Sequence, residues 1–341
     1  MNVISVTGEN PLYKSIIKNI GRFENIKLAT GVILDTTPKR FRAEYNTTNF
    51  VGISTKSYGN YWFNVKGKEA IFKSFDAQPA TKSARIVNEL LCMELCKQIG
   101  LKCATYEPAT IDGNNGIISY NVANSDETMI SACELKAITN NQNKPNSLID
   151  YYRILKTLKN RGTNIDLGQE IVNMYKLAIF DLLTLQTDRH SGNIFFLNNK
   201  KSNTLRLSPI FDNELSFLST HLQEMHLFYD FVDIDLVKDY YNDSQSAVFS
   251  INPLDKKYCK NKYETIKKDI ILFANKNEKA KKILKDILEK FNIKNALRKV
   301  EQTGVKIPLV YKNYVTMITE TIKNDLKNEL EISNNGESIF A

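Results

Sequence analysis

Residues 187–199 read TDRHSGNIFFLNN, and residues 205–215 read LRLSPIFDNEL. In each stretch, polar residues adjoin an apolar run of the kind that predicts a short buried strand. Asn193 follows Asp188 by five residues, and Asp212 follows it by 24. An aspartate that accepts a hydroxyl proton, with Asn and Asp oxygens that bind Mg²⁺, is typical of phosphoryl transfer. The spacing therefore predicts Asp188 as a base and Asn193 and Asp212 as ligands of Mg²⁺ or Mn²⁺.

The upstream half supplies two further groups that this chemistry needs. A lysine on a strand binds the nucleotide phosphates, and a glutamate on the following helix holds the lysine. Residues 50–75 carry β-branched and aromatic residues on both sides of Gly67, which predicts a hairpin that includes Lys73. Apolar spacing from about 81 to 99 predicts a helix that contains Glu89 and ends at Gly100. Lys73 and Glu89 are therefore expected to pair, although each residue type is also common on ordinary surfaces.

The rest of the chain indicates an α+β protein with two lobes. Strands are predicted at 104–111 and 116–122, with a turn at 112–116, and another strand ends at Asp212. We expect residues 1–49 to extend the small lobe, with an extra strand or helix at 21–34, and residues 50–124 to form the small β-rich lobe itself. Residues 125–330 are expected to form a mainly helical lobe, which is polar up to about 168 and helical from about 167. Residues 331–341 are expected to be a tail.

These motifs resemble a known family. D-R-H-x-x-N after an apolar helix, followed by P-I-F-D at the end of a strand, is similar to the HipA-like serine/threonine kinases and, more distantly, to the phosphatidylinositol 3- and 4-kinases. The resemblance covers roughly residues 50–330. It implies a two-lobed protein-kinase-like fold with ATP and the metal ion in the cleft, and transfer of the γ-phosphate to a serine or threonine of a protein. Only about 50 residues precede the core, which resembles the short forms without the N-terminal subdomain of full-length HipA toxins.

The resemblance also assigns the nucleotide contacts. The segment GISTKSYG, residues 52–59, is the candidate phosphate loop, although it departs from the eukaryotic G-x-G-x-x-G pattern. Family members autophosphorylate a serine of this loop, which implies that role for Ser54 or Ser57. The interlobe hinge falls at residues 119–122, and Asn213 and Glu214 replace the Phe-Gly of many kinases, which argues against a DFG-like flip. The residues assigned to the nucleotide are Gly52, Ser54, Lys56, Ser57, Gly59, Lys73, Tyr120 and Val122.

Composition narrows the functional classes. The 341 residues carry a formal charge of +8, but the lysines are dispersed among acids, so we expect solubility and no direct nucleic-acid binding. No apolar stretch reaches the roughly 18 residues of a membrane span, and no Sec-type signal precedes the chain. Five cysteines without a C-x-x-C pair indicate reduced thiols of a cytoplasmic protein.

Three questions of function stay open at this stage. A lipid or small-molecule kinase would use the same metal and base residues, and a pseudokinase would keep the fold without turnover. The short forms include toxin subunits, whose partner is an antitoxin, and effectors secreted into a host cell, whose substrates are host proteins. In either case a protein substrate is expected.

Overall fold

The computed structural model describes residues 26–28, 61–65, 68–74, 79–111, 114–138, 145–221, 233–244, 248–254 and 261–337. Its strands are β1 (Ile26–Leu28), β2 (Tyr61–Val65), β3 (Lys68–Ser74), β4 (Tyr106–Ile111), β5 (Asn114–Tyr120), β6 (Glu127–Ser131), β7 (Phe195–Asn199) and β8 (Thr204–Leu207). Its helices are α1 (Pro79–Ile99), α2 (Ala132–Ile138), α3 (Leu148–Asn160), α4 (Leu167–Leu183), α5 (Ile234–Asp243), α6 (Lys262–Asn275), α7 (Glu278–Lys290), α8 (Ile293–Gln302) and α9 (Leu309–Glu337).

A five-stranded antiparallel sheet forms the first part of the fold, in the order β1-β4-β5-β3-β2. The predicted hairpin is present, because β2 pairs with β3 and Val65 lies opposite Lys68. The early segment contributes a strand, since Ile26 pairs with Ile111 of β4. The lysine strand β3 therefore lies inside the sheet, between β2 and β5, where both of its edges are hydrogen-bonded.

Gly116 lies within a strand. The sequence predicts a turn over 112–116 and a strand from 116, whereas Ile111 pairs with Asn114, so β5 begins at Asn114 and Gly116 lies inside it, opposite Ser74. A Cβ atom at this position would lie 2.2 Å from the carbonyl oxygen of Lys73. Only glycine allows the two backbones to approach this closely, so Gly116 lets β5 pack directly against β3, the strand that carries Lys73.

The predicted helix of the first part is confirmed as α1. Its apolar residues, among them Leu90, Leu91 and Leu95, are buried, and Glu89 is fully buried beside them. Gly100 adopts a φ of 63°, and the N–H of Leu101 donates to the Cys96 carbonyl at 3.0 Å. This is the hydrogen bond of a Schellman cap, which ends the helix where the sequence predicts.

The second part is mainly helical around α4, whose residues from Leu177 to Leu183 are all buried. A three-stranded sheet, β6-β7-β8, lies beside it. The sequence did not predict β6, α2 or α3 in the polar segment 125–168. It also placed the end of the last strand at Asp212, whereas β8 ends at Leu207. Pro209 explains the early end, because proline has no N–H to donate to a strand ladder.

The last helix, α9, continues past Leu330 to Glu337, through most of the segment expected as a tail. Its buried positions include Val315, Ile318, Ile322 and Leu326, spaced three or four residues apart. This spacing lays one face of the helix on the core. Within the described ranges, no helix is both long and apolar enough to cross a membrane.

Candidate active site

Lys73 lies between two carboxylates that reach it from distant parts of the chain. Its Nζ is 2.8 Å from Oε1 of Glu89 on α1 and 2.9 Å from Oδ1 of Asp212. Burial alone would lower the pKa of Lys73, but the charges of Asp212 and Glu89 outweigh it and raise the pKa well above its usual value. The lysine is therefore a fixed positive charge. The expected pairing of Lys73 with Glu89 is present, and Asp212 joins it.

Glu214 adds a third carboxylate to this cluster. Carboxylate oxygens of Glu89, Asp212 and Glu214 lie within 4.8 Å of one another, and Glu214 also accepts from Arg85 at 3.3 Å. Burial and the neighbouring Asp212 raise the pKa of Glu214 to about 7, against the opposing effect of Lys73. Because the Lys73 ammonium contacts two of the three carboxylates, the cluster is its counter-charge rather than a separate metal site.

Asp188 and Asn193 form the second half of the site, in the loop between α4 and β7. The amide nitrogen of Asn193 donates to the backbone oxygen of Asp188 at 2.9 Å and to its Oδ2 at 3.2 Å. Burial raises the pKa of Asp188; His190 opposes this rise, and the charge of Asp212 adds to it. The loop thus presents a carboxylate with a raised proton affinity, close enough to Asp212 for the two charges to interact.

His190 lies beside this carboxylate without being buried. Its Nδ1 accepts from the N–H of Gly192 at 2.9 Å, and its Nε2 lies 3.6 Å from Oδ1 of Asp188. The first contact orders the loop and leaves Nε2 as the protonated nitrogen that faces Asp188. Its contact with the loop backbone indicates that His190 braces the loop.

Asp212 has an unusual backbone conformation, with a φ of 60°. Its N–H donates to the hydroxyl of Tyr106 at 3.3 Å, and its carbonyl accepts from Nε2 of Gln186 at 3.4 Å. A non-glycine residue in the left-handed region is strained and persists only where its surroundings hold it. Such strain is frequent at functional sites, and here it turns the Asp212 carboxylate toward Lys73.

Arg189 is the largest fully buried side chain of the described residues and anchors the loop 188–193 to helix α4. Its guanidinium donates to both carboxylate oxygens of Asp181 at 3.1–3.3 Å and to the Phe211 carbonyl at 3.0 Å. It also donates to Oδ1 of Asn213 at 2.6 Å. The sequence did not predict Asp181 as the partner of Arg189. An acid inside the apolar run of α4 was the available signal, because an acid is rarely buried without a partner.

The predicted hinge leaves the sheet beside the second lobe. Tyr120 ends β5, and its N–H donates to the Thr105 carbonyl at 3.1 Å. Val122 packs against the apolar cluster of Met129, Phe195 and Leu197. Phe211, directly before Asp212, packs on the same cluster, so Val122 and the segment that carries Asp212 share one apolar base. The rest of the predicted nucleotide site, Gly52, Ser54, Lys56, Ser57 and Gly59, lies outside the described residues.

The predicted metal ligands can be tested against the hydrogen bonds of the site. Asn193 is 3% exposed, and its Oδ1 has no hydrogen-bond partner among the described residues. A buried amide oxygen without a donor is rare, and such an oxygen is available to bind a cation. Mg²⁺ prefers carboxylate and amide oxygens. The Asn193 oxygen and the Asp212 carboxylate therefore fit a hard divalent cation.

Comparison with solved structures shows the fold. The kinase CtkA of Helicobacter pylori, described as proinflammatory, is 15% identical with a TM-score of 0.59, over 80% of this chain and 95% of that chain. HipA of Shewanella oneidensis, from a complex with HipB and operator DNA, is 14% identical with a TM-score of 0.46, over 80% of this chain and 64% of that chain. The chain has the two-lobed, protein-kinase-like α+β fold that the sequence predicts.

Comparison with known sequences shows the family. No protein with a curated description matches the chain. The family model described as the HipA-like C-terminal domain matches residues 50–294, which include every site residue discussed above. Since this match covers well over half of the sequence, the chain belongs to the HipA-like C-terminal domain family.

Proposed function

We propose that this protein is an ATP-dependent serine/threonine kinase of the HipA type. The convergence of Lys73, Glu89 and Asp212 supports the proposal most strongly, because these residues come from a strand, a helix and a distant loop. We also propose that the lobes divide near residues 122–125, with residues 1–49 as an extension of the small lobe. The nucleotide would then lie between Lys73 and the apolar base under Val122.

Each polar group has a defined part in the proposed reaction. Lys73 binds the α- and β-phosphate oxygens, Glu89 holds the lysine in place, and Asn193 and Asp212 hold the metal ion. When bound, Mg²⁺ or Mn²⁺ neutralises charge on the phosphate oxygens. Asp188 orients the acceptor hydroxyl and takes its proton. A bond forms between that oxygen and the γ-phosphorus, while the bond to the bridging oxygen breaks and its electron pair stays on ADP.

The raised pKa of Asp188 supports the role of base. A base accepts a proton more readily when its pKa lies closer to the working pH. The same carboxylate stays oriented because Asn193 donates to it. We further propose a protein substrate, autophosphorylation at Ser54 or Ser57, and either an antitoxin or a host protein as partner.

The acceptor class is tested with γ-labelled ATP and Mg²⁺ or Mn²⁺, offered to the chain alone, to casein and to phosphatidylinositol vesicles. Asp188→Asn is the test variant, and the exposed surface variant Asp286→Asn is its control. The proposal predicts labelled protein with the parent and Asp286→Asn, and a loss of at least about 100-fold with Asp188→Asn. Label confined to the lipid would favour a lipid kinase, and nucleotide binding without any label would favour a pseudokinase.

A further inference from the structure

Asn213 lies where helix α1, the loop 188–193 and the segment after β8 meet, and it is fully buried. Its backbone N–H donates to Oε2 of Glu89 at 2.9 Å. Its side-chain Oδ1 accepts from Nη2 of Arg189 at 2.6 Å. Its Nδ2 faces the Sγ of Cys103 at 3.8 Å. Through its backbone N–H and its side chain, Asn213 thus connects helix α1 with the loop 188–193, which lie far apart in the sequence.

Both of these partners belong to the candidate active site. The two carboxylate oxygens of Glu89 have different partners: Oε1 accepts from Lys73, and Oε2 accepts from the N–H of Asn213. Arg189 follows Asp188 directly in the chain and holds the loop through Asp181. A shift of Asn213 would therefore displace Lys73 through Glu89 of helix α1, and Asp188 through Arg189 of the loop.

The chemistry of the position fits asparagine closely. Arg189 has donors only, so the group that faces it must accept a hydrogen bond. Glu89 and Asp212 already place two carboxylates beside this point, and a neutral amide accepts from Arg189 without adding a third negative charge. The amide nitrogen meanwhile faces a sulfur atom, which is a weak acceptor. An apolar side chain would leave Nη2 of Arg189 with Asp181 as its acceptor and would remove the acceptor of its other N–H.

We propose that Asn213 is a positioning residue that joins helix α1 and the loop 188–193 to the metal-binding segment, so that the three move as one unit. Its effect on catalysis rests on the proposed kinase function, whereas the mechanical linkage does not. Asn213 and Glu214 replace the Phe-Gly of many kinases, and the linkage through Asn213 holds the neighbouring Asp212 in its left-handed conformation. The contact with Glu89 uses the backbone N–H, which a substitution keeps, but loss of the side-chain contact with Arg189 frees that backbone to shift. The proposal therefore predicts that helix α1 and the loop loosen together when the Asn213 side chain is changed.

Hydrogen–deuterium exchange of the full chain tests the linkage without any assay of activity. Asn213→Leu removes the acceptor and keeps the number of side-chain heavy atoms, whereas Asn213→Gln keeps a neutral amide acceptor. Ser147→Ala is the matched control, because Ser147 is fully buried and caps helix α3 through Asp150. We expect Asn213→Leu to raise exchange at least threefold both in peptides of 86–99 and in peptides of 187–194. Asn213→Gln is expected to raise exchange in both regions by less than half as much.

Two results would overturn the proposal. One is a rise in exchange confined to the peptides around residue 213, or equal to that in Ser147→Ala, which is the pattern of simple core packing. The other is a rise of exchange in both regions of Asn213→Gln that equals the rise in Asn213→Leu, because the glutamine keeps a neutral acceptor. If Asn213→Leu loses its cooperative unfolding transition, Asn213→Ala takes its place in the same comparison.

A kinetic readout separates the linkage from the proposed function. With phosphoryl transfer as the assay, Asn213→Leu is expected to lower kcat at least tenfold while KM for ATP changes less than threefold. A parent protein that transfers no phosphate would defeat the kinase proposal. The exchange pattern of the same parent and variants would still show whether Asn213 links the two elements.

Discussion

Lys73 and Asp212, which are 139 positions apart in the sequence, form an ion pair of 2.9 Å. Glu89 completes the contact from the other side. The ammonium has three N–H donors, and these two bonds use two of them, which leaves one for a phosphate oxygen. The three polar groups that the proposed phosphoryl transfer requires thus lie in direct contact with one another.

Lys73→Met tests this ion pair. The change leaves the buried Glu89 without its cation, and breaking a buried pair in this way costs about 3–5 kcal/mol. We expect the free energy of unfolding in urea to decrease by an amount close to this range, and nucleotide binding to weaken at least tenfold. Lys201→Met is the control, because Lys201 is 77% exposed, and it should change stability by less than about 0.5 kcal/mol. Parental nucleotide affinity in a folded Lys73→Met protein would remove Lys73 from the site.

Asn193→Ala tests the metal site. Removal of the buried oxygen should raise the Mn²⁺ concentration for half-maximal nucleotide binding at least tenfold, with metal-free nucleotide affinity unchanged. Asn193→Asp keeps an oxygen ligand and should recover most of the metal response. The half-exposed amide variant Asn173→Ala serves as the control. An unchanged metal titration in Asn193→Ala would show that the metal ion is held by other residues.

The sequence predicts the groups that act within short segments better than those that act across the fold. The spacing of Asp188 and Asn193 predicts that both residues lie in one loop, and the apolar periodicity predicts the helix that carries Glu89, the expected partner of Lys73. The contact of Asn213 with Glu89 and Arg189 joins residues 124 and 24 positions apart. No local pattern encodes such contacts, since they arise only when the lobes and loops pack together.

Misplaced elements have a similar cause. The segment 125–168 reads as polar because β6 and α3 each bury only one face, with half-buried residues between the buried ones. The strand that was expected to reach Asp212 stops at Leu207, and Asp212 is presented by irregular backbone instead. The apolar run that continues to Phe211 serves packing rather than a strand ladder, as the contact of Phe211 with Phe195 shows.

Gly116→Ala tests the close approach of β5 to β3. The added Cβ would meet the Lys73 carbonyl at 2.2 Å and the ring of Phe72 at 2.6 Å, so the strands must separate. We expect a loss of about 1–3 kcal/mol in thermal or urea unfolding. Gly168→Ala is the matched control, since its Cβ would make only an ordinary contact at 3.5 Å in the first turn of α4. It should be neutral or stabilising by up to about 1 kcal/mol, and equal losses in both variants would contradict the account.

Glu170 predicts a pH dependence of stability. Burial raises its pKa, against the opposing hydrogen bond from the Leu207 N–H, which lies 2.8 Å from Oε2. A carboxyl with a raised pKa favours the fold while it is protonated. That stability is complete below the ordinary pKa of 4.5 and is lost as the pH rises through the raised value.

Glu170→Gln keeps an acceptor for Leu207 and removes this titration. Melting temperatures from pH 4 to pH 8 should therefore diverge, with the Gln variant more stable than the parent at neutral pH and nearly equal to it at the acid end. A Gln variant that is less stable than the parent at neutral pH, or a difference that does not vary with pH, would show that the ionised carboxylate stabilises the fold.

Formation of ADP from ATP and Mg²⁺, with casein present as the hydroxyl acceptor, tests the central claim most directly. The rate is measured for the parent, for Asp188→Asn, which keeps the shape of the side chain and removes the base, and for Asp286→Asn as a surface control. The account predicts equal rates for the parent and Asp286→Asn and a loss of at least about 100-fold in Asp188→Asn, with nucleotide binding retained. No ADP from the parent, or the parental rate in Asp188→Asn, would contradict it.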